Sequence, residues 1–349
     1  MGLLMERTAF SEQPMRTASR SRMLLVAVTI LVLTAFLQPT AFAQFSRFGD
    51  RHVAMKVEGS ALTILPVQHN VYMVVGAGPN VTIQKSDQGA IVVNTGIASM
   101  SDDLLRAIRQ VSDRPVRAVI NTNAREENTA GNEAIAASGE AVDFRFLAQL
   151  SGFLGARAAA PIIGHENVAL RMSGARPGEV ARSAGSVPTE AFSKSTKLWN
   201  GQGIQVFHAP AATTDADSYV FFRGSEVISV GDLMSTVRYP TIDLKRGGSI
   251  NGLIRALTEI VELCIFQTQS TGGTYIIPGE GRIADNQDVT AYRDMLTIIR
   301  DRVQAAIKEG KTLAQVKTAK LARDYDPRYG SSDALIESIY QSLTQTSSS

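Results

Sequence analysis

Short β-branched runs, each closed by a polar turn, constrain this chain more than any other feature. "NVYMVVG", "VTIQKS" and "GAIVVNTG" follow one another between residues 70 and 96, separated by Gly, Pro, Asn and Asp, which predicts an antiparallel meander. "VRAVI" at 116–120 reads as a buried strand that runs straight into the polar loop Asn121–Asn128. Further on, "TKLWNGQGIQVFHAP" predicts a hairpin around Asn200-Gly201, and "DSYVFFRGSEVISVGD" another around Gly224. "GTYIIPGEG" predicts a strand ending in a turn. Helical periods lie between these runs: Asp102–Val111, with Leu104, Leu105, Ile108 and Val111 on one face, then Thr129–Ser138, Ser249–Phe266 and Asp288–Lys308. "APIIGHENVALRM" reads as a strand and a turn, residues 173–189 as a loop, and two shorter helices are expected to close the chain. Strands mixed with helices in two similar halves predict an α/β (α+β) fold, an αββα sandwich of two mixed sheets packed face to face with helices outside.

Composition bounds the function. With 349 residues, 44% hydrophobic and 19% charged, the chain is long enough for a large core and too apolar for disorder. The net charge of +2 originates in residues 1–43, which hold four Arg and two Glu; the remainder is neutral. A neutral body without a basic stripe argues against nucleic-acid binding. Arg16, Arg20 and Arg22 precede an apolar stretch from Met23 to Leu37, and Ala41 and Ala43 fit a small-residue cleavage site. That stretch is short for a bilayer span, which needs about 20 residues. The expectation is an exported, periplasmic or secreted protein with no membrane span after signal cleavage. The single cysteine, Cys264, excludes an internal disulfide and reads as a small packing residue.

Polar loops at strand ends are where such folds place their chemistry. Here they carry Asn123–Asn128, Thr213–Asp217, Gly231-Asp232 and Gly279-Glu280-Gly281. In pattern and order the stretch from Asn70 to Tyr292 resembles the metallo-β-lactamase superfamily. That family commonly reads Asn-Thr-His-x-His-x-Asp-His-x-Gly-Gly-Asn where this chain has "NTNAREENTAGN". It commonly has Asp at Asn94, His at Thr213, a bridging aspartate at Asp232 and His at Glu280. "IIGHENV", "RYPTIDLKRGGSINGLI" and "AYRDMLTIIRDRV" are similar to a secreted branch of it. The expected division is a signal peptide over 1–43, a lead-in over 44–65, a domain over 66–290 that the resemblance implies is metallo-β-lactamase-like, and a helical extension over 291–349.

The same resemblance implies that the family's zinc ligands fall on Asn123, Arg125, Glu127, Asn128, Thr213, Asp232 and Glu280, with every His position vacated. Zinc takes imidazole, thiolate or carboxylate donors; Arg125 has no lone pair to give and carries a fixed positive charge. No metal or other cofactor is therefore expected, and without bound zinc no water is activated as a nucleophile. Glu127, Asp232 and Glu280 are expected to converge beside Arg125 as a salt-bridged polar plug. The alternatives are a small-ligand site and an all-oxygen site for Ca²⁺, Mg²⁺ or Mn²⁺ on Glu127, Asp232, Glu280 and Asn128, with Asp232 or Glu127 as the catalytic candidates.

Other motifs carry less. His52, His69, His165 and His208 read as capping or packing residues, His208 being nearest to the pit. No Gly-x-Ser-x-Gly elbow accompanies it. "GAGPN" reads as a turn, Ser249 as a helix cap and Trp199 as a hairpin side chain. The functional expectation is a pseudo-hydrolase that binds a small ligand or a protein partner at the former metal face. Two readings compete with it: a hydrolase with an atypical metal site, and an interaction module working through the 141–160 insert.

Overall fold

The computed structural model describes residues 53–140, 159–266 and 272–346. Eight strands form the first sheet in the order β1 to β8: Met55–Lys56, Thr63–Gln68, Val71–Val75, Val81–Ser86, Gly89–Val93, Val116–Ile120, Ile162–His165 and Glu190–Phe192. β1 to β5 pair antiparallel. β5 to β8 pair parallel, with helical crossovers between them. The second sheet has six strands: β9 (Ser195–Trp199), β10 (Gly203–His208), β11 (Ser218–Phe222), β12 (Val227–Ser235), β13 (Tyr275–Glu280) and β14 (Ala284–Asp285). Only β12 and β13 run parallel in it. Both sheets are mixed, as expected, and helices cover their outer faces. β1 and the start of β2 lie in the stretch read as a lead-in.

The fully buried strands face the opposite sheet. β5 and β11 are buried at all five positions, so neither shows the alternation of a half-exposed strand. Polar bridges cross between the sheets. Thr82 Oγ1 donates to Ser229 Oγ at 2.9 Å, and Asn200 Nδ2 donates to Gln84 Oε1 at 2.7 Å. Each is buried and satisfied, so it sets the register of the two layers without an orphaned polar group.

Helices α1 (Ser101–Val111), α2 (Glu126–Thr129) and α3 (Asn132–Ala137) follow β5 and β6. The helix expected over 129–138 is thus broken into two short pieces at Ala130-Gly131. α4 (Glu166–Met172) occupies a stretch read from sequence as a turn. It forms because His165 Nδ1 accepts the Asn167 N–H at 3.2 Å, while Val168 and Met172, one turn apart, are buried. α5 (Ile250–Leu263) is capped by Ser249, whose Oγ accepts the Gly252 N–H at 2.9 Å. A Cβ on Gly252 would stand 1.8 Å from the carbonyl oxygen of Ala211, so only glycine lets that loop approach.

The 23-residue α6 (Asn286–Lys308) starts at a reciprocal capping box between Asp285 and Asp288. It buries Val289, Tyr292, Leu296, Ile299 and Val303 at helical spacing. Three helices follow, not two: α7 (Leu313–Thr318), α8 (Asp326–Tyr329) and α9 (Asp333–Thr346). Pro327 in the first turn of α8 and Gly330 just beyond it separate what reads as continuous sequence. α5 to α9 share one apolar core with the second sheet, and α1 and α3 share another with the first. Among the described residues no helix is long and apolar enough to cross a membrane. The signal expected over 1–43 and residues 141–158 of the insert lie outside the described residues.

Candidate functional site

Parallel strands place their carboxyl ends side by side, as β5 and β6 do in the first sheet and β12 and β13 in the second. β5 and β6 end just before Asn94 and Asn121; β12 and β13 carry Asp232 and Glu280, with Ser235 opposite Glu280. Gly231, at φ +50°, turns the chain just before Asp232, and a Cβ there would sit 2.5 Å from Thr122 Oγ1. The loop after β6 therefore packs directly on the turn that holds Asp232.

The centre of the pit is one carboxylate oxygen. Asp232 Oδ2 accepts amide hydrogens from Asn123 Nδ2 at 3.0 Å and Asn128 Nδ2 at 3.1 Å. Arg125 Nε stands 3.3 Å from the same oxygen, close enough for an ion pair but outside hydrogen-bond geometry. The guanidinium turns its Nη2 to the carbonyl of Thr241 at 2.8 Å. Backbone donors decide the amide orientations. The Arg125 N–H donates to Asn123 Oδ1, and the Thr122 N–H donates to Asn94 Oδ1, both at 3.0 Å. With those oxygens committed, Asn94 Nδ2 faces Asn128 Oδ1, and Asn128 Nδ2 is left to face Asn123 Oδ1 and Asp232. Asn94 holds this place at φ +60°, which asparagine tolerates better than most residues.

A second buried carboxylate, Asp217, lies beside the first. Thr213 Oγ1 donates to it at 2.8 Å, the Thr214 N–H donates to the same oxygen, and Asn123 Nδ2 approaches its other oxygen at 3.4 Å. Burial pushes Asp217 up to about 6, against the pull of the Thr214 and Thr213 hydrogen bonds. Burial likewise raises Asp232, and Arg125 and Asn123 oppose that shift.

The seven residues singled out in the sequence do not all converge. Asn123, Arg125, Asn128 and Asp232 are in mutual contact, and Thr213 joins them through Asp217. Glu280 is forked by the guanidinium of Arg238, its Oε1 accepting from Nη2 at 2.9 Å. Glu127 is exposed and, among the described residues, forms no ion pair. The cluster of three carboxylates on one arginine is thus replaced by two separate pairs with Glu127 left outside. Two arginines, Arg125 and Arg238, share the work expected of Arg125 alone. Nothing in the spacing announces Arg238, because it meets Glu280 only through the β12–β13 register. Asp217 was visible in "ATTDAD", but its burial was not.

The remaining space is small. Arg125, Asp232, Arg238, Thr241 and Glu280 enclose about 10 Å³, at the lower limit for a single water. Among the described residues no three His, Cys, Asp or Glu side chains are grouped to hold a metal ion. His165 and His208 lie apart from the pit, stacked at 3.6 Å between ring centres. Their Nε2 atoms lie 2.8 Å and 2.9 Å from the carbonyls of Ser193 and Asp215.

No family model matches the sequence, and no curated protein matches it. Solved structures do. The inverting sec-alkylsulfatase Pisa1 from Pseudomonas sp. superposes with a TM-score of 0.57 at 14% identity, over 80% of this chain and 49% of that one. A double mutant of that sulfatase gives 0.56 at 13% identity, over the same shares. The chain has the metallo-β-lactamase fold. It spans about half the length of the sulfatase it matches. A metallo-β-lactamase from Pontibacter korlensis aligns over 70% of this chain and 99% of its own, at 15% identity and a TM-score of 0.47. At 13–14% identity the likeness to the sulfatase shows the fold alone, and the chemistry has to be argued from the side chains.

Proposed function

We propose that this chain is an exported pseudo-hydrolase of the metallo-β-lactamase fold, and that its former metal face now serves recognition. One observation carries the reading. The oxygen of Asp232 that faces the pit is already occupied by two amide N–H groups and the charge of Arg125. A zinc ion at that oxygen would have to displace two hydrogen bonds and sit against a fixed positive charge. Among the described residues the remaining lining offers hydroxyl groups and the arginine-paired Glu280, with no imidazole and no thiolate. An all-oxygen cation site meets the same obstacle, since Glu280 is paired with Arg238 and Glu127 stands exposed outside the group.

The pit itself is too small for an organic ligand. Recognition at this face accordingly belongs to its rim, where Ile97 and Val237 are 37% and 54% exposed on the loops that follow β5 and β12. A protein partner suits such a surface better than a small molecule does.

Metal analysis of the purified, folded chain tests the proposal. The expected result is far less than one equivalent of zinc, a melting temperature unmoved by chelator, and no turnover of lactam, ester or sulfate ester. Stoichiometric zinc that Asp232→Ala releases, together with turnover lost in the same variant, would overturn it.

A further inference from the structure

A second concavity opens on the other side of the same loop. It has a volume of about 530 Å³ and lies between α2, α3 and the segment 178–186. This is the size of a small-molecule site, and it is far roomier than the sealed pit. Three arginines line it: Arg171, Arg182 and Arg246. Two are neutralised. Arg171 pairs with Asp215 at 2.6 Å and with Glu179 at 2.9 Å, and Arg246 forks both oxygens of Glu179 at 2.9 Å.

Arg182 is different. It is half-buried, and among the described residues no carboxylate lies within ion-pair distance of it. Its guanidinium donates to the carbonyl of Ala124 at 2.7 Å and to the hydroxyl of Thr129, both neutral acceptors. Burial is the main cause lowering its pKa, so its charge is held at a cost that nearby Glu126 only partly relieves. Arg171, 8% exposed in the same wall, also keeps a buried Nε–H with no hydrogen-bond partner. A guanidinium without an ion pair and a spare N–H in one cleft call for an oxyanion. Glu126 and Glu133 at the mouth are exposed carboxylates, which disfavour a polyanion and favour a ligand carrying hydrogen-bond donors.

We propose that this cleft binds a small polar molecule with a single carboxylate or phosphoryl group, held by Arg182 and donating hydroxyl or amino hydrogens to Glu126 and Glu133. The site is separate from the pit and does not depend on the loss of zinc. It does share a wall with it, since the Ala124 carbonyl and Thr129 hydroxyl that Arg182 holds belong to the loop carrying Asn123, Arg125 and Asn128.

Calorimetric titration of the intact chain with glycerate, with glycerol 3-phosphate and with neutral glycerol tests this. Saturable binding of one of the two anions, and none of glycerol, is expected; whichever anion binds identifies the group. Arg182→Gln should weaken it at least about tenfold, the scale of one lost charge-assisted hydrogen bond. Trp199→Ala, an exposed hairpin position outside the cleft lining, should leave it unchanged. Ala98 is exposed on the cleft wall, so Ala98→Trp should block binding without disturbing the core, and it serves if Arg182→Gln fails to fold. Absence of saturable binding for both anions, or equal affinity in the wild type and a folded Arg182→Gln or Ala98→Trp chain, would overturn the proposal.

Discussion

Arg125 Nε lies 3.3 Å from Asp232 Oδ2, both side chains being mostly buried. Under the proposed reading, this fixed organic cation takes the place that a metal ion would have at the carboxylate. A guanidinium neutralises the carboxylate but offers no coordination site and activates no water.

If that pair is internal glue, Arg125→Ala leaves Asp232 buried without its counter-charge. A loss of about 3 kcal/mol is expected, from the cost of stranding a buried ion. Urea unfolding of the single variants and of Arg125→Ala/Asp232→Asn together measures it, and the double variant should recover part of the loss. An unfolding midpoint that does not move in Arg125→Ala would remove this account.

Acidification should act on two groups in opposite directions. Asp217 is raised from 3.8 to about 6, so folding favours its protonated form. Its contribution is full below pH 3.8 and is lost as the pH rises through about 6. His165 is lowered from 6.5 by burial and then by His208 stacked upon it. Its contribution is full above pH 6.5 and is lost as the pH falls towards its native value. Chemical denaturation across this range should show less acid gain in Asp217→Asn and less acid loss in His165→Asn than in the wild type. Parallel profiles for all three chains would refute both assignments.

Gly231 should not tolerate a side chain. Its φ of +50° and the 2.5 Å that would separate an added Cβ from Thr122 Oγ1 combine two penalties. Gly231→Ala is expected to destabilise by about 2 kcal/mol or more, read as a fall in thermal midpoint. Retention of the wild-type midpoint would mean that the β6 loop yields easily there.

The capping box of α6 offers a check far from the pit. Asp285 Oδ1 accepts the Asp288 N–H at 2.9 Å, and Arg282 forks Asp288 at 2.6 and 2.7 Å. Asp285→Ala should cost about 1 kcal/mol. A neutral result would indicate that packing of Tyr292 and Leu296 alone sets the start of the helix.

The order of strands and helices was legible in the sequence because local patterns encode it: β-branched runs, Asn-Gly turns, and apolar residues at helical spacing. The same residues carried the resemblance that named the scaffold. Some local features read differently in the fold. The segment after His165 became a helix through a histidine cap, which residue-type preferences do not favour, and Pro327 with Gly330 divided the last helical stretch.

What only the tertiary structure decided is who pairs with whom. Glu280 finds Arg238 across 42 positions through strand register, and Glu127 falls outside a cluster it was expected to join. Asp217 becomes a second buried carboxylate, and among the described residues Arg182 faces a cleft without an ion pair. Sequence determines which groups are present; the packing of two sheets determines the distance and burial at which they meet, and charge interactions depend on both.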